Sequence, residues 1–414
     1  MIKLQSHPTI PYIDGDGIGL EIMDATRAVL DAAVYKAYEN QRKIIWTRTM
    51  AGSQAKEEMG AYLPAETLAL IRQHKVAIKG PLTTPIAGGY QSLNVSMRKA
   101  LDLYACIRPV CWFEGLPSPL KNPKNIDIVI FRENTEDIYA GLEFEASSRE
   151  NKEFLAYLKQ AFPEQYQLIP FKQNVGLDIK PISQAGSERI MKAAIRWALQ
   201  NERKKITLVH KGNIMKYTEG AFCNWCYATA EKEFKNHVFT QHEFQRISKS
   251  KGLSFAEKEH NKAMQAGKHY IDDMLADVAF ERAISQPQNF DIIVTTNLNG
   301  DYLSDAFAAL VGGIGISPGG NINFENNMAI FEANHGSAET IAGKDVANPS
   351  SLILSGEMLL RFIGWDEAAD LVRYGVMQTI QKRQVTFDLH RQLEDAQLLG
   401  TQAFSQKIIE NMQE

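Results

Sequence analysis

The sequence has few of the features that mark a special environment or partner. Its 414 residues include four cysteines, which is too few for a disulfide-built scaffold and favours a reducing compartment. The formal net charge of -4 gives no basic excess that would point to nucleic acid. No apolar run approaches the ~18 residues of a membrane span, and the N-terminus has no signal-peptide pattern. We therefore expect a cytoplasmic protein that binds neither nucleic acid nor membrane.

Two familiar binding motifs are also incomplete. Residues 223–226 read Cys-Asn-Trp-Cys, but the second cysteine pair that a zinc site needs is missing, and the segment lies within a helical pattern. Residues 14–19 read Asp-Gly-Asp-Gly-Ile-Gly between a strand and a helix, but Leu20 stands where a dinucleotide fingerprint requires its third glycine. We therefore expect helix packing at the first segment and a tight, non-Rossmann turn at the second.

What the sequence does contain is ordinary globular composition with alternating strands and helices. Hydrophobic residues make up 44% and charged residues 23%. Apolar periodicity predicts strands at 9–13, 44–49, 76–79, 126–131, 206–210, 292–296 and 329–332. It predicts helices at 21–38, 66–74, 183–200 and 217–234, and about four more after residue 332. This alternation favours an α/β fold with a largely parallel sheet, and the length allows two domains.

Two long segments depart from this pattern. Residues 142–182 are polar and aromatic with weak periodicity, which indicates an insertion or subdomain. Residues 241–268 are charged and poorly periodic, which predicts an exposed loop with one helix. Pro85, Gly88 and Gly89 interrupt regular structure after the third predicted strand.

The most informative stretch is 290–320. Its strand is followed by Asn299-Gly300, a turn pair, and then by a helix whose predicted first turn carries Asp301 and Asp305. Residues at i and i+4 share one helix face, so the two carboxylates could hold a hard divalent cation, or they could be a helix cap and a solvated acid. The glycines between 312 and 320 suit close approach of backbone to a ligand.

Three arginines stand beside polar motifs: Arg98, Arg108 and Arg132. A guanidinium group binds carboxylates through two parallel hydrogen bonds, so together they could line a polycarboxylate pocket. Each could equally form a surface salt bridge. Ser92 is the expected N-cap of the helix that carries Arg98.

These motifs carry a family resemblance. NLNGDYLSDAFAALVGGIGISPGGN resembles the signature of the metal-dependent β-decarboxylating dehydrogenases, which act on isocitrate, isopropylmalate, homoisocitrate or tartrate. SLNVSMR, DLYACIRPV and FRENTEDIYAG resemble the isocitrate branch, of the bacterial homodimeric type. The similarity runs from TIPYIDGDGIG to IIENM. It implies a large cofactor-binding domain (1–103 and 312–414), a small domain (104–136 and 188–311) and a clasp-like dimerisation subdomain (137–187).

The resemblance also implies roles for individual residues. Isocitrate would be oxidised and decarboxylated to 2-oxoglutarate and CO2, as in the tricarboxylic acid cycle. The substrate carboxylates would be held by Ser92, Asn94, Arg98, Arg108 and Arg132. Proton transfer would fall to Tyr139 and to Lys216 of the motif HKGNIMK. Mg2+ or Mn2+ would be held by Asp301, Asp305 and Asp277, with Lys216 and Asp277 crossing over from the second subunit of a homodimer.

The cofactor region departs from the family pattern. The resemblance assigns the nicotinamide cofactor to Thr83, His335, Gly336, Ser337, Ala338, Asn348 and Arg391. Relatives that use NADP usually carry Lys-Tyr where this chain has Thr340-Ile341, a tyrosine at Phe387 and an arginine at Gln286. A 2′-phosphate requires cations or donors, so these losses favour NAD, whereas the family as a whole favours NADP.

Two rival functions stay open at this stage. One is a sibling dehydrogenase acting on another 2-hydroxy acid, although the isopropylmalate branch favours bulkier apolar residues where this chain has Ser92 and Asn94. The other is a catalytically inactive regulatory or scaffold subunit, although every expected ligand is present. Ser92 also stands where some bacterial relatives are phosphorylated, so a regulatory kinase could act there.

Overall fold

The computed structural model describes residues 5–83 and 92–412. Its strands are β1 Thr9–Ile13, β2 Ile45–Arg48, β3 Val76–Lys79, β4 Ala105–Cys111, β5 Asp127–Glu133, β6 Leu142–Phe144, β7 Leu177–Ile179, β8 Lys205–His210, β9 Val238–Thr240, β10 His269–Leu275, β11 Ile292–Thr295, β12 Pro318–Asn323, β13 Met328–Ala333, β14 Gln384–Val385 and β15 Gln397–Leu398. Its helices are α1 Gly19–Tyr38, α2 Ser53–Met59, α3 Ala65–His74, α4 Leu93–Ala100, α5 Arg149–Ala161, α6 Pro163–Gln167, α7 Gln184–Gln200, α8 Glu219–Glu233, α9 Gln241–Lys251, α10 Leu253–Gln265, α11 Ala276–Ser285, α12 Asn297–Ala309, α13 Ser350–Phe362, α14 Asp366–Gln381, α15 Phe387–His390 and α16 Thr401–Asn411.

One 11-stranded sheet organises the chain, in the order β2-β1-β3-β13-β12-β4-β5-β11-β8-β10-β9. Neighbours pair in parallel except at β13/β12, β12/β4 and β4/β5. The expected α/β fold with a largely parallel sheet is therefore confirmed. The pattern missed β4, β9, β10 and β12. Pro109 interrupts β4, and Gly319 and Gly320 weaken β12. A Cβ at Gly320 would lie 2.9 Å from the Phe331 ring, so strand packing alone requires a glycine there. The ligand contact expected of the glycines between 312 and 320 stays a prediction.

Both faces of the sheet are covered, and β5 shows how. Val129 and Phe131 belong to the large core that includes α7, whereas Ile128 and Ile130 belong to a second core with Leu303 of α12. Successive strand residues point to opposite faces, so one run of apolar residues fills two cores. This alternation decides which face each polar side chain of β4 and β5 reaches.

The turn that we predicted at Asn299-Gly300 is wrong. Helix α12 begins at Asn297, so both residues lie within it and Asp301 falls in its second turn. A Cβ at Gly300 would lie 2.5 Å from Cγ of Arg132, so the glycine allows the helix to lie directly on that side chain. Here the glycine is explained by packing and not by turn chemistry.

The segment 241–268 was predicted as an exposed loop with one helix, and the loop part of that prediction is wrong. The segment contains two helices, α9 and α10, separated by Gly252 at φ 90°. Thr240 caps α9 by accepting a hydrogen bond from the Glu243 amide at 3.0 Å. No residue of α9 is buried, and α10 buries only Ala256 and Ala263. Helices with so few buried positions lack the apolar periodicity from which a helix is predicted.

The insertion predicted at 142–182 has structure of its own. It contains the antiparallel pair β6/β7 and the helices α5 and α6.

Ser92 holds the expected position before α4, but its side chain makes no capping hydrogen bond. Residues 84–89, which were predicted to be irregular, lie outside the described ranges. The division into domains stays a prediction. Within the described chain, no helix combines the length and apolarity needed to cross a bilayer.

Candidate active site

A cavity of ≈ 440 Å³, here called the front cavity, gathers most of the residues predicted to act on substrate. It is lined from β3 by Lys79, from β13 by Glu332, from β4 by Arg108, from β5 by Arg132 and from α12 by Asp301. Nine predicted site residues line it: Ser92, Asn94, Arg98, Arg108, Arg132, Tyr139, Asp301, His335 and Gly336. The elements meet here because the side chains of β4 and β5 that point toward α12 converge on one space.

Two buried arginines face the carboxylates of α12. Arg132 pairs with Oδ1 of Asp301, and its Nε donates to Asn297 Oδ1 at 2.9 Å. Nη1 of Arg108 lies 3.5 Å from Oδ1 of both Asp301 and Asp305. Burial raises the pKa of Asp301, but Arg132 and Arg108 outweigh it and hold that pKa below its ordinary value. The carboxylate of Asp301 is therefore ionised near neutral pH.

Tyr139 completes this group from a 3₁₀ turn. Its hydroxyl donates to Asp301 Oδ2 at 2.6 Å, and the Arg132 guanidinium lies 5.0 Å from its ring centre. Asp137 in the same turn accepts from the Leu298 amide at 2.9 Å, which ties the turn to the start of α12. Burial, and then the bond to Asp301, raise the pKa of Tyr139 to about 12. Both effects outweigh the nearby Arg132 guanidinium, which lowers this pKa.

Two buried charged residues of the front cavity, Lys79 and Glu332, were missed from sequence, as was the exposed Glu143. Lys79 Nζ lies 2.5 Å from Glu332 Oε2, and Arg98 Nη2 lies 2.6 Å from Glu332 Oε1. Burial lowers the pKa of Lys79. Burial would raise the pKa of Glu332, but its two cations dominate and lower it. The available signal was a charged residue near the end of an apolar strand, in VAIK and in AIFEA.

Several polar atoms at this site have no partner within the part of the chain that is described. Asn94 Oδ1, Arg98 Nε, Arg108 Nε and His335 Nε2 are buried there without a hydrogen bond. Burying a polar group is costly unless it is bonded, and most such groups are paired in folded proteins. The front cavity is therefore built to receive a polar ligand.

The residues predicted to bind the cofactor are divided between the cavity and the loop that leaves it. His335 and Gly336 line the front cavity. Thr83 Oγ1 lies 2.8 Å from Ser337 Oγ and 2.9 Å from Glu339 Oε1. Ala338 follows with a left-handed backbone, φ 43°.

The last two predicted cofactor residues lie outside the cavity lining. Asn348 donates to Asp388 Oδ2 at 2.9 Å and accepts from the Ser350 amide at 3.0 Å. The Arg391 guanidinium lies 5.0 Å from the Phe387 ring centre. The unpartnered His335 nitrogen fits a polar cofactor group, whereas Asn348 is already engaged.

The predicted metal ligands are brought together only in part. Asp301 and Asp305 lie on one face of α12, and the Asp305 side chain is 58% exposed. Burial raises the pKa of Asp305, with partial compensation from Arg108. Oxygen donors of this kind suit Mg2+ or Mn2+. Asp277 is paired instead with Lys211 at 2.5 Å, and the exposed Lys216 is likewise absent from the front cavity lining.

Another set of possible metal ligands, His210, Cys223 and Asp273, lies outside the front cavity with its ligand atoms within 4.8 Å of one another. His210 Nδ1 accepts a hydrogen bond from the Gly212 amide at 3.0 Å, so the ring proton is on Nε2, which lies 3.3 Å from Asp273 Oδ2. With both ring nitrogens engaged, His210 has no lone pair for a metal. The expected packing role of Cys223 and Cys226 agrees with their burial in α8.

Comparison with known proteins gives consistent matches along the chain. The family model described as isocitrate/isopropylmalate dehydrogenase matches residues 9–408. A Staphylococcus epidermidis protein named isocitrate dehydrogenase [NADP] is 48% identical over 411 residues, covering 99% of this chain and 97% of that protein. A protein of the same name from Pseudomonas aeruginosa is 45% identical over 414 residues, covering 99% and 95%.

Solved structures match over a similar extent. The crystal structure of isocitrate dehydrogenase from Methylococcus capsulatus has a TM-score of 0.76 and 35% identity, covering 98% of this chain and 100% of that one. The TT0538 protein from Thermus thermophilus has a TM-score of 0.75 and 32% identity, covering 98% and 68%.

Proposed function

The chain belongs to the isocitrate/isopropylmalate dehydrogenase family, and we propose on this basis that it is an isocitrate dehydrogenase. It converts isocitrate to 2-oxoglutarate and CO2 while a nicotinamide cofactor is reduced. The observation that carries this proposal is the front cavity, where three arginines, Ser92 and Asn94 surround Asp301 and Tyr139.

The substrate has three carboxylates, and the front cavity offers matching cations. Arg98, Arg108 and Arg132 come from three different elements and point into one space. Guanidinium groups bind carboxylates through charge-assisted hydrogen bonds, and Arg98 and Arg108 each keep an unpartnered buried Nε. Ser92 and Asn94 add polar contacts where an isopropyl group would need apolar ones. This favours isocitrate over isopropylmalate.

The reaction requires two proton transfers. Hydride leaves C2 for the nicotinamide ring as the hydroxyl proton is removed, which gives a 3-carboxy ketone. Cleavage of the bond between C3 and its carboxylate releases CO2 and leaves an enolate, which takes a proton at C3. Tyr139 suits this second step because its pKa of about 12 keeps the phenol protonated near neutral pH. Lys216 of a second subunit is the proposed acceptor of the hydroxyl proton.

Asp301 and Asp305 would hold Mg2+ or Mn2+, and Asp277 of a second subunit would supply the third carboxylate. A bound divalent ion supplies Lewis-acid polarisation of the C2 oxygen and stabilises the enolate charge. Within this chain, Arg132 and Tyr139 fix the orientation of Asp301 through one carboxylate oxygen each.

For the cofactor we propose NADP, with weakened discrimination against NAD. The relatives named above are NADP enzymes by name, which supports NADP. The residues support the weakening, because Thr340 and Ile341 offer no cation and Glu339 adds a negative charge beside Thr83. Arg391 is the remaining cation among the predicted cofactor residues, and it stacks on Phe387.

We also propose a homodimer with shared active sites. Tyr217, next to Lys216, is 92% exposed, and Phe171 in the insertion is 81% exposed. Ile214 and Ile284 lie on the same segments as Lys216 and Asp277 and are exposed too. Large apolar side chains that face solvent near functional residues favour burial against a second copy.

Regulation by a kinase at Ser92 stays a proposal. Ser92 is half-buried, lines the front cavity and makes no capping bond. A phosphate there would repel a substrate carboxylate. If Ser92→Asp kept the full affinity for isocitrate, this proposal would be wrong.

The test is a set of initial rates for the purified protein with Mg2+ and each 2-hydroxy acid, using NADP and NAD in parallel. We expect turnover with isocitrate and little with isopropylmalate, homoisocitrate or tartrate. Turnover with one of those siblings alone would replace the substrate assignment. No metal-dependent turnover with any of them would favour an inactive regulatory subunit.

A further inference from the structure

A second cavity lies behind the strands that carry the catalytic arginines. Its volume is ≈ 470 Å³, and we call it the rear cavity. Ile107, Pro109 and Cys111 of β4 line it, whereas Arg108 between them lines the front cavity. Val129 of β5 lines the rear cavity as well. Because successive strand residues point to opposite faces, the two cavities are separated by the same strands.

Aromatic side chains contribute to the wall of the rear cavity. Five rings line it: Phe113 after β4, Trp197 from α7, Phe324 from the turn between β12 and β13, Phe331 from β13 and Phe362 from α13. Met358 of α13 adds a thioether. A volume of this size lies within the range of about 300–1,000 Å³ found for small-molecule sites. Flat apolar molecules gain both burial and ring contacts in such a space.

Two of the three arginines that line the rear cavity are already neutralised. Arg203 pairs with Asp127 at 2.7 Å and with Asp291 at 3.0 Å. Arg361 pairs with Glu357 at 2.5 Å. Neither guanidinium is available to a new anion without breaking an existing ion pair.

Arg373 differs from both. Within residues 5–83 and 92–412, no carboxylate lies close enough to form an ion pair with it. Its Nη2 donates to Cys111 Sγ at 3.2 Å, and its guanidinium lies 5.2 Å from the Phe113 ring centre. A half-buried guanidinium with these contacts and no ion-pair partner in the described chain can form charge-assisted hydrogen bonds to an incoming anion.

We propose that the rear cavity binds a small aromatic monoanion, with its ring system among the aromatic side chains and its carboxylate or sulfonate on Arg373. Three carboxylates also line the cavity, and each already has an arginine partner: Asp127 pairs with Arg203, and Glu357 and Asp366 pair with Arg361. Arg373, the arginine of this lining without a carboxylate partner in the described chain, selects one negative charge, and a neutral analogue of the same shape leaves it without a counterion. This site is separate from the reaction, so isocitrate does not displace its ligand.

The test uses 2-naphthoate and its neutral analogue 2-naphthamide as probes, in calorimetric titrations of the full protein saturated with isocitrate and without divalent metal. We expect 2-naphthoate to bind about tenfold more tightly than the amide, and Arg373→Gln to remove this difference. Arg373→Lys, which keeps the charge, should retain part of it. Equal binding of the two probes by the wild type would overturn the proposal, and so would a failure of 2-naphthoate to bind the isocitrate-saturated protein.

Cys111 supplies a second readout at the same place. It is the one cysteine of the four that is not buried, and it contacts Arg373 directly. We expect 2-naphthoate to slow alkylation of Cys111 by iodoacetamide in the wild type but not in Arg373→Gln at the same probe concentration. An unchanged alkylation rate in the wild type would contradict the site.

Should Arg373→Gln not fold, Met358→Trp tests the same space by filling it. This variant should lose binding of both probes while keeping its turnover of isocitrate, since Met358 does not line the front cavity. Retained binding would place the probe elsewhere and overturn the proposal.

Discussion

The hydroxyl of Tyr139 donates a 2.6 Å hydrogen bond to Oδ2 of Asp301, so the proposed proton donor and a proposed metal ligand share one contact. The other oxygen of Asp301 pairs with Arg132. The carboxylate is thus oriented from both sides before any ligand arrives. It also holds the phenol in its protonated form, because ionising Tyr139 would place a second negative charge beside Asp301.

Replacing Tyr139 by phenylalanine removes the proposed proton donor and keeps the ring under Arg132. We expect kcat to fall by about 10²-fold or more, with KM for isocitrate changed only a few-fold, because the hydroxyl acts on the reacting atoms and not on the carboxylates. Steady-state rates over a range of isocitrate concentrations give both constants. Tyr35→Phe, at an exposed position, should leave both unchanged. A Tyr139→Phe enzyme with full kcat would exclude this role.

Glu332 is the shared anion of two buried cations. Glu332→Gln leaves Lys79 and Arg98 buried without it, and removing one partner of a buried pair typically costs about 3–5 kcal/mol in the free energy of unfolding. Urea denaturation should show this loss at pH 7. Asp366→Asn, at an exposed carboxylate, is the control and should change stability little.

The same residue gives a pH dependence with a defined sign. Burial opposes ionisation of Glu332, but Lys79 and Arg98 outweigh it and place its pKa below the ordinary 4.5. The unfolded chain therefore binds this proton first as the pH falls. The stabilisation is complete above pH 4.5 and is lost as the pH falls toward the folded pKa. The gap between wild type and Glu332→Gln should accordingly be smaller at pH 3.5 than at pH 7.

The family, the fold class and the reaction could be predicted from sequence, and the comparisons confirm them. The helical periodicity of α1 and the apolar run of β3 could be recognised in the sequence because burial in the core requires apolar side chains at those positions. The turn predicted at Asn299-Gly300 is wrong because the sequence does not distinguish a glycine required for close packing on Arg132 from a glycine required for a turn. Lys79 and Glu332 were missed because a charge in an apolar strand gives no sign of its partner, which here lies 253 residues away. Site roles and domain bounds stay predictions.

Restoring the 2′-phosphate contacts should shift the cofactor preference. Thr340→Lys with Ile341→Tyr adds a cation and a hydroxyl to the loop that follows Ala338. Charge-assisted hydrogen bonds contribute about 1.5–3 kcal/mol each, so we expect the ratio of kcat/KM for NADP over NAD to rise about tenfold or more. Thr340→Gln with Ile341→Tyr is the matched control without the charge. An unchanged ratio in the lysine variant would place the phosphate elsewhere.

Mixing two inactive variants tests the shared active site directly. Lys216→Met removes the proton acceptor, and Asp301→Asn removes a metal ligand, so each homodimer alone should be inactive. If Lys216 crosses over, one site of each mixed dimer combines Asp301 from the first variant with Lys216 from the second and is intact. Random exchange of subunits should then restore about a quarter of wild-type kcat per subunit. If both residues act within one chain, no mixed dimer contains an intact site and the mixture stays inactive. Gel filtration before and after exchange, with Tyr35→Phe as the active control, confirms that dimers form in both cases.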